Sequence, residues 1–225
     1  HKAIRRQRQM CIRDRIYTQV VMNNPAAKGV NIINNTVGGS TAQYDLTAAE
    51  ACATMAGIQA GCGIEKSATH YQVDHWIRVN PTLDRWQQQT RTAAGEILFV
   101  EMHRKICVLS DINSLTTFDA EHPEDWSKNL VIRTLRAITA DLKKMLDEKA
   151  IGKIRNNRDG RNEIKGKCVS LITENYLNNG YVEDFAADDV TVSCMGDAAR
   201  DSVAVTVGVR VVDTMDKIYL TVVSE

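Results

Sequence analysis

The strongest constraint on this fold is a single helical stripe. Val131, Leu135, Ile138, Leu142 and Met145 recur at spacings of four, three, four and three, the signature of an α-helix that buries one face. Arg133, Arg136, Lys143 and Lys144 fall on the far side. The spacing predicts a helix over about 127–149 with one core face and one cationic face. The cationic face is either solvated or a docking surface for acidic groups.

The last 36 residues have a different period. DVTVSC, SVAVTVGVRVV and KIYLTVV alternate apolar and polar positions with many β-branched residues, which predicts strands. Gly196-Asp197 and 213–216 separate them. The final strand, 217–223, has nothing after it to cover its edge, so it pairs within its own sheet or with the edge of another subunit.

Upstream, VVM and VNII read as two short strands around an Asn-Asn-Pro turn, closed by Gly38-Gly39. Thr47 and Glu50 form a T-x-x-E capping box, which starts an Ala-rich helix that Gly61 and Gly63 stop. Thr82 after Pro81 is the expected cap of a second helix to about Ala94, with Gly95 as terminator. EILFVE and KICVLS around Met102, His103 and Arg104 read as a hairpin. The segment 111–126 is too irregular for either regular element, and IGKIRNNRDGR precedes a helix over about 162–179 that Gly180 ends. Helices and strands alternate, so the fold class is mixed α/β.

Composition narrows the function. The chain is 44% hydrophobic and 25% charged with 3 prolines, a balance that folds rather than stays disordered. Its longest apolar runs, four to six residues, are too short to cross a bilayer, so no membrane insertion is expected. Lys+Arg and Asp+Glu both total 28, but the signs segregate: residues 127–167 carry a net +7 and 168–225 a net −7. The basic stretch has its acidic complement in the same chain or in a second copy, which argues against nucleic acid as the partner. Residues 1–15, HKAIRRQRQMCIRDR, carry a net +5 with no apolar core, so they are not a signal peptide. CIRDR resembles translated sequencing adapter, so these residues are set aside as non-native or disordered. The missing initial methionine suggests the C-terminal part of something longer.

No catalytic chemistry emerges. Cys11, Cys52, Cys62, Cys107, Cys168 and Cys194 include no C-x-x-C pair and read as buried reduced thiols. His70 and His75 are five apart, which is not the four-residue spacing of a helical zinc site. GCG at 61–63 follows a helix rather than a strand, so it is no phosphate loop, and there is no nucleophile elbow or HExxH. Asp159 and Arg161 in NNRDGR read as a turn or a subunit contact. No cofactor or metal is expected, and an enzyme is the rejected alternative.

Several blocks together resemble one family. INSLTTF (112–118), W-SKNLVIRTL (126–135), IGKIRNNRDGR (151–161) and VVDTMDKIYLTVV (211–223) resemble the C-terminal part of contractile-tail sheath proteins of myovirus-type phages. DLTAAEACATMAGIQAG and KSATHY resemble the central domain of that family. The resemblance covers about residues 16–225. It departs at Val212, where the family usually has proline, and in NPTLDRWQQQTRTAAGE, which matches only as a helix ending in glycine.

The resemblance implies a truncated central sheath domain over 16–105 and a C-terminal domain over 106–225, with an arm at 217–225. It implies a homo-oligomer of hexameric rings stacked around an inner tail tube, with baseplate and tail terminator proteins as partners. Such subunits assemble in the host cytoplasm, sit in the virion tail, and contract to drive the tube through the envelope for genome ejection. No nucleotide is implied. Lys128, Arg133 and Arg136 are then expected to face the tube. Lys217, Ile218, Tyr219, Leu220, Thr221, Val222 and Val223 are expected to lend a strand to a neighbour. The alternative within contractile machines is a tail-like bacteriocin or another injection apparatus.

Overall fold

The computed structural model describes residues 20–21, 30–34, 36–39, 45–119, 122–195 and 201–223. Residues 1–15, set aside above, and the Asn-Asn-Pro turn lie outside the described residues. The chain divides into two compact units, one of His1–Ile132 with Thr214–Glu225 and one of Arg133–Asp213. The expected boundary at 105/106 lies inside the first.

The first unit holds three small sheets. Strands β1 (Val20–Val21) and β2 (Asn31–Ile33) run parallel, and β2 also pairs in parallel with β6 (Glu96–Ile97). β3 (Thr36–Gly39) lies between β4 (Asp45–Leu46) and β5 (Trp76–Asn80), antiparallel to both. β7 (Phe99–Met102) and β8 (Lys105–Val108) form a hairpin. The predicted strand EILFVE is therefore two strands in two sheets, because Leu98 breaks the pairing. The hairpin turn is His103-Arg104, with φ of 53° and 62°. That left-handed pair matches the strand twist without the Asn-Gly that usually announces it.

Helix α1 (Ala48–Gly61) starts at the predicted box: Glu50 N–H donates to Thr47 Oγ1 and Thr47 N–H to Glu50. The Thr47 N–H, and after it the Thr47 hydroxyl, donate to the Glu50 carboxylate and hold its pKa below the usual value. Its buried face, Ala48, Ala51, Met55 and Ile58, recurs at three and four. That face meets Ile33, Ile97, Phe99, Ile106 and Val108 in one cluster, where Trp76 and Phe99 cross edge to face at 4.8 Å. Helix α2 (Arg85–Ala93) corrects a sequence expectation. Its cap is Asp84, boxed with Gln87, rather than Thr82, whose hydroxyl bonds back to the Val79 carbonyl. Gly95 follows with φ of 81°.

Helix α3 (Asn129–Lys149) is the predicted stripe helix, and the division between units falls after its fourth residue. In the second unit, Met145, Ile164, Cys168 and Val190 form the core, with Leu142, Leu146, Val192 and Val205 against it. Helix α4 (Arg158–Ile172) is capped by Asn157 and continues as a π-helical turn, Thr173–Leu177. It begins one turn earlier than expected, so the Asp159-Gly160 turn signal lies inside a helix. Gly160 is there because a Cβ would fall 2.0 Å from the Arg155 carbonyl oxygen. β10 (Val190–Cys194) pairs antiparallel with β11 (Val203–Val207), and β9 (Val182–Glu183) with β12 (Arg210–Val211). The predicted strand SVAVTVGVRVV is thus cut at Gly208 into two strands with different partners.

Among the described residues no helix is long and apolar enough to cross a membrane, and no group of three His, Cys, Asp or Glu residues is placed to hold a metal. Cys62, Cys107 and Cys168 are buried thiols, Cys52 is half-buried, and burial raises the pKa of Cys52, Cys107 and Cys168. Cys194 is exposed, against the expectation for all six, while Cys11 lies outside the described residues.

Candidate assembly site

The irregular segment at 111–126 turns out to organise the first unit through buried polar groups. Asp111, Asn113 and Asn129 are 1%, 1% and 4% exposed. Buried polar groups persist only when hydrogen-bonded, and these are. Asp111 Oδ2 accepts from the Ala68 N–H at 2.9 Å, and its Oδ1 accepts from Gln59 and from Asn129 Nδ2. Asn129 Nδ2 also reaches Asn31 Oδ1 at 2.9 Å and the Ile112 carbonyl at 2.8 Å. Asn113 donates to the Trp126 carbonyl and accepts from the Leu115 N–H. Helix α1, the turn at 67–69 and the start of α3 are fastened to one carboxylate, and β2 joins them through the Asn129 amide.

One residue before Asn129, Lys128 bridges to Ile112, and its ammonium pairs with Asp216 Oδ2. Both side chains are largely buried, 27% and 12% exposed. Thr214 Oγ1 donates to the other carboxylate oxygen of Asp216 at 3.4 Å. Thr214, Met215, Asp216 and Ile218 line a cleft of about 380 Å³ with Ser67, Thr69 and His70.

Beyond Asp216 the chain has no partner strand within the described residues. Ile218, Tyr219, Leu220, Val222 and Val223 are 79–93% exposed. The expected strand 217–223 is therefore not part of its own sheet, and the segment offers apolar side chains and unpaired backbone to the outside. The cationic face of α3 also differs from its pattern. Lys143 and Lys144 are exposed as predicted, but Arg133 and Arg136 are half-buried, because Leu130, Val131, Ile132 and Thr134 bury the first turns nearly all round. The sequence put Arg133 and Arg136 on the cationic face, and the family resemblance grouped Lys128 with them. The structure brings Lys128 to Asp216, a pair 88 positions apart that no local pattern signals. Arg161 donates to Asn156 Oδ1 at 3.0 Å and Asn156 Nδ2 to the Ser202 carbonyl, so NNRDGR, expected as a turn or subunit contact, is the capped start of α4.

Residues 121–225 match the family model of the phage tail sheath C-terminal domain. They belong to that family. The whole chain is also 31% identical over 216 residues to the phage-like element PBSX protein XkdK of Bacillus subtilis, covering 91% of itself and 45% of that protein. A sheath tail protein of Desulfitobacterium hafniense superposes with a TM-score of 0.74 at 32% identity, over 89% of this chain and 47% of that one. The helical sheath of the anti-feeding prophage in its contracted state shares the fold, with a TM-score of 0.69 at 17% identity over 92% of this chain and 61% of that one. The chain spans about half the length of the curated relatives it matches.

Proposed function

We propose that this chain is a structural subunit of a phage contractile tail sheath. It polymerises as hexameric rings stacked around the inner tail tube, between baseplate and terminator proteins, in the virion tail. It contracts to drive the tube through the host envelope for genome ejection. Residues 16–105 serve as the central domain and 106–225 as the C-terminal domain. The observation that carries the reading is the arm at 217–223. An extended, apolar, unpaired segment on a folded unit suits strand addition to a neighbouring subunit, and head-to-tail contacts of that kind build open helical assemblies. The +7 and −7 segments supply complementary surfaces for stacking.

Negative-stain electron microscopy of the chain from residue 16, beside a version ending at Asp216, tests this. Rings or tubes that vanish on truncation support it, and equal assembly by both versions refutes the arm's role. Arg133 and Arg136, in the first turns of α3, and Lys128, one residue before it, are proposed to face the tube. Reversal of Arg133 and Arg136 to glutamate is expected to weaken assembly on the tube while leaving tube-free association unchanged, and undiminished tube binding removes the assignment.

A second reading, the sheath of a bacteriocin-like or extracellular injection apparatus, is favoured by the fold shared with the anti-feeding prophage sheath. Capsid and terminase genes beside the coding sequence decide for the virion.

A further inference from the structure

We infer that Lys128 and Asp216 form a clamp that sets the direction in which the C-terminal arm leaves the first unit. The inference rests on the assembly reading above for its consequence but not for its geometry.

Lys128 stands on a backbone fixed from three sides. Its N–H donates to the Asp125 carbonyl at 3.1 Å, its own carbonyl accepts from the Ile132 N–H at 3.3 Å, and it bridges to Ile112. The next residue, Asn129, is locked into the Asp111 network. Its ammonium therefore leaves a rigid base. Asp216 meets it with one carboxylate oxygen and holds Thr214 with the other. Within two residues the chain passes from an Asp216 side chain 12% exposed to an Ile218 79% exposed. The pair thus marks the last anchored point before the free segment. A partly buried ion pair is screened less by salt than a surface pair. An arm fixed at its root also loses less conformational entropy on pairing with a neighbour than one that swings freely. Lys128 is a positioning residue for the arm.

The test compares the full chain with Lys128→Met, Asp216→Asn, the conservative Lys128→Arg and the exchange Lys128→Asp with Asp216→Lys. Folding is checked by circular dichroism, arm mobility by the rate of chymotrypsin cleavage after Tyr219, and assembly by electron microscopy. The two single deletions of charge are expected to speed cleavage about three- to tenfold and to reduce ordered assembly. Lys128→Arg is expected to cleave like the parent, and the exchange to return towards it. Unchanged cleavage in both deletions, or equally fast cleavage in a folded Lys128→Arg variant, overturns the clamp. Faster cleavage with normal assembly overturns its role in aiming the arm. A chain ending at Asp216 that still assembles refutes the arm reading instead, and leaves the cleavage result standing.

Discussion

Asn129 donates its side-chain amide to Asp111 Oδ1 at 2.8 Å, and both residues are at least 96% buried. This contact joins the start of α3 to the carboxylate on which α1 and the turn at 67–69 also depend. Replacing Asp111 with alanine removes the acceptor of the buried Ala68 N–H and takes one acceptor from Gln59 and from Asn129, whose Nδ2 keeps Asn31 Oδ1 and the Ile112 carbonyl. Each buried group left unsatisfied costs about 1–3 kcal/mol, so a loss of about 2–3 kcal/mol is expected in urea unfolding. Asp111→Asn keeps one acceptor and is expected to lose less. A loss below about 1 kcal/mol for the alanine variant contradicts the network's role.

Gly95 and Gly166 are expected to respond in opposite directions to alanine. At Gly95, φ is 81° and a Cβ would lie 2.7 Å from Ser114 Cα, so Gly95→Ala is expected to destabilise by about 2 kcal/mol or more. Gly166 sits in α4 with nothing within 4 Å of a Cβ. Gly166→Ala is expected to stabilise by about 0.5–1 kcal/mol. Thermal unfolding of the two variants checks both signs.

Tyr176 is buried and donates to Asp141 Oδ2 at 2.8 Å. Burial, then the hydrogen bond and negative charge of Asp141, raise its pKa far above the ordinary value of 10. The neutral phenol is the form the folded state holds, so its contribution is complete below pH 10 and falls as pH rises towards the folded pKa. Unfolding free energy is expected to drop above pH 10 by about 1.4 kcal/mol per pH unit from this group. Tyr176→Phe removes that slope and lowers stability at neutral pH by about 1 kcal/mol, the worth of one hydrogen bond. Parallel pH slopes for the two proteins between pH 10 and 11 contradict it.

Ile218→Asp with Leu220→Asp places charge on an arm that touches little of its own chain. Exposed substitutions of this kind change stability by within about 0.5 kcal/mol, so the melting temperature is expected to stay put while rings or tubes disappear. Sedimentation velocity and microscopy on one preparation separate the two effects.

The stripe of α3, the Thr47–Glu50 box and the β7–β8 hairpin were legible because each is written in neighbouring residues, whose periodicity or cap chemistry is local. The hidden parts depend on distant partners. Nothing near Leu98 says that Glu96–Ile97 joins β2 while Phe99–Met102 turns to β8. Nothing near Asp111 says that its acceptors serve residues 18 to 52 positions away. The α2 cap was misplaced because Thr82 and Asp84 both have capping side chains, and only the Gln87 partner decides between them. The arm residues stood out through their alternation. Among the described residues their strand has no partner, and the root pair of Lys128 and Asp216 joins segments with no pattern in common.

On the proposed pairing between subunits, the bare arm also makes each free subunit a gauge of its own abundance. Apolar segments without a mate meet one another at a frequency that rises with the square of concentration. A dilute pool therefore stays as single subunits, while a crowded one nucleates. Where and when growth begins then depends on a template that captures the first arms before they find each other at random.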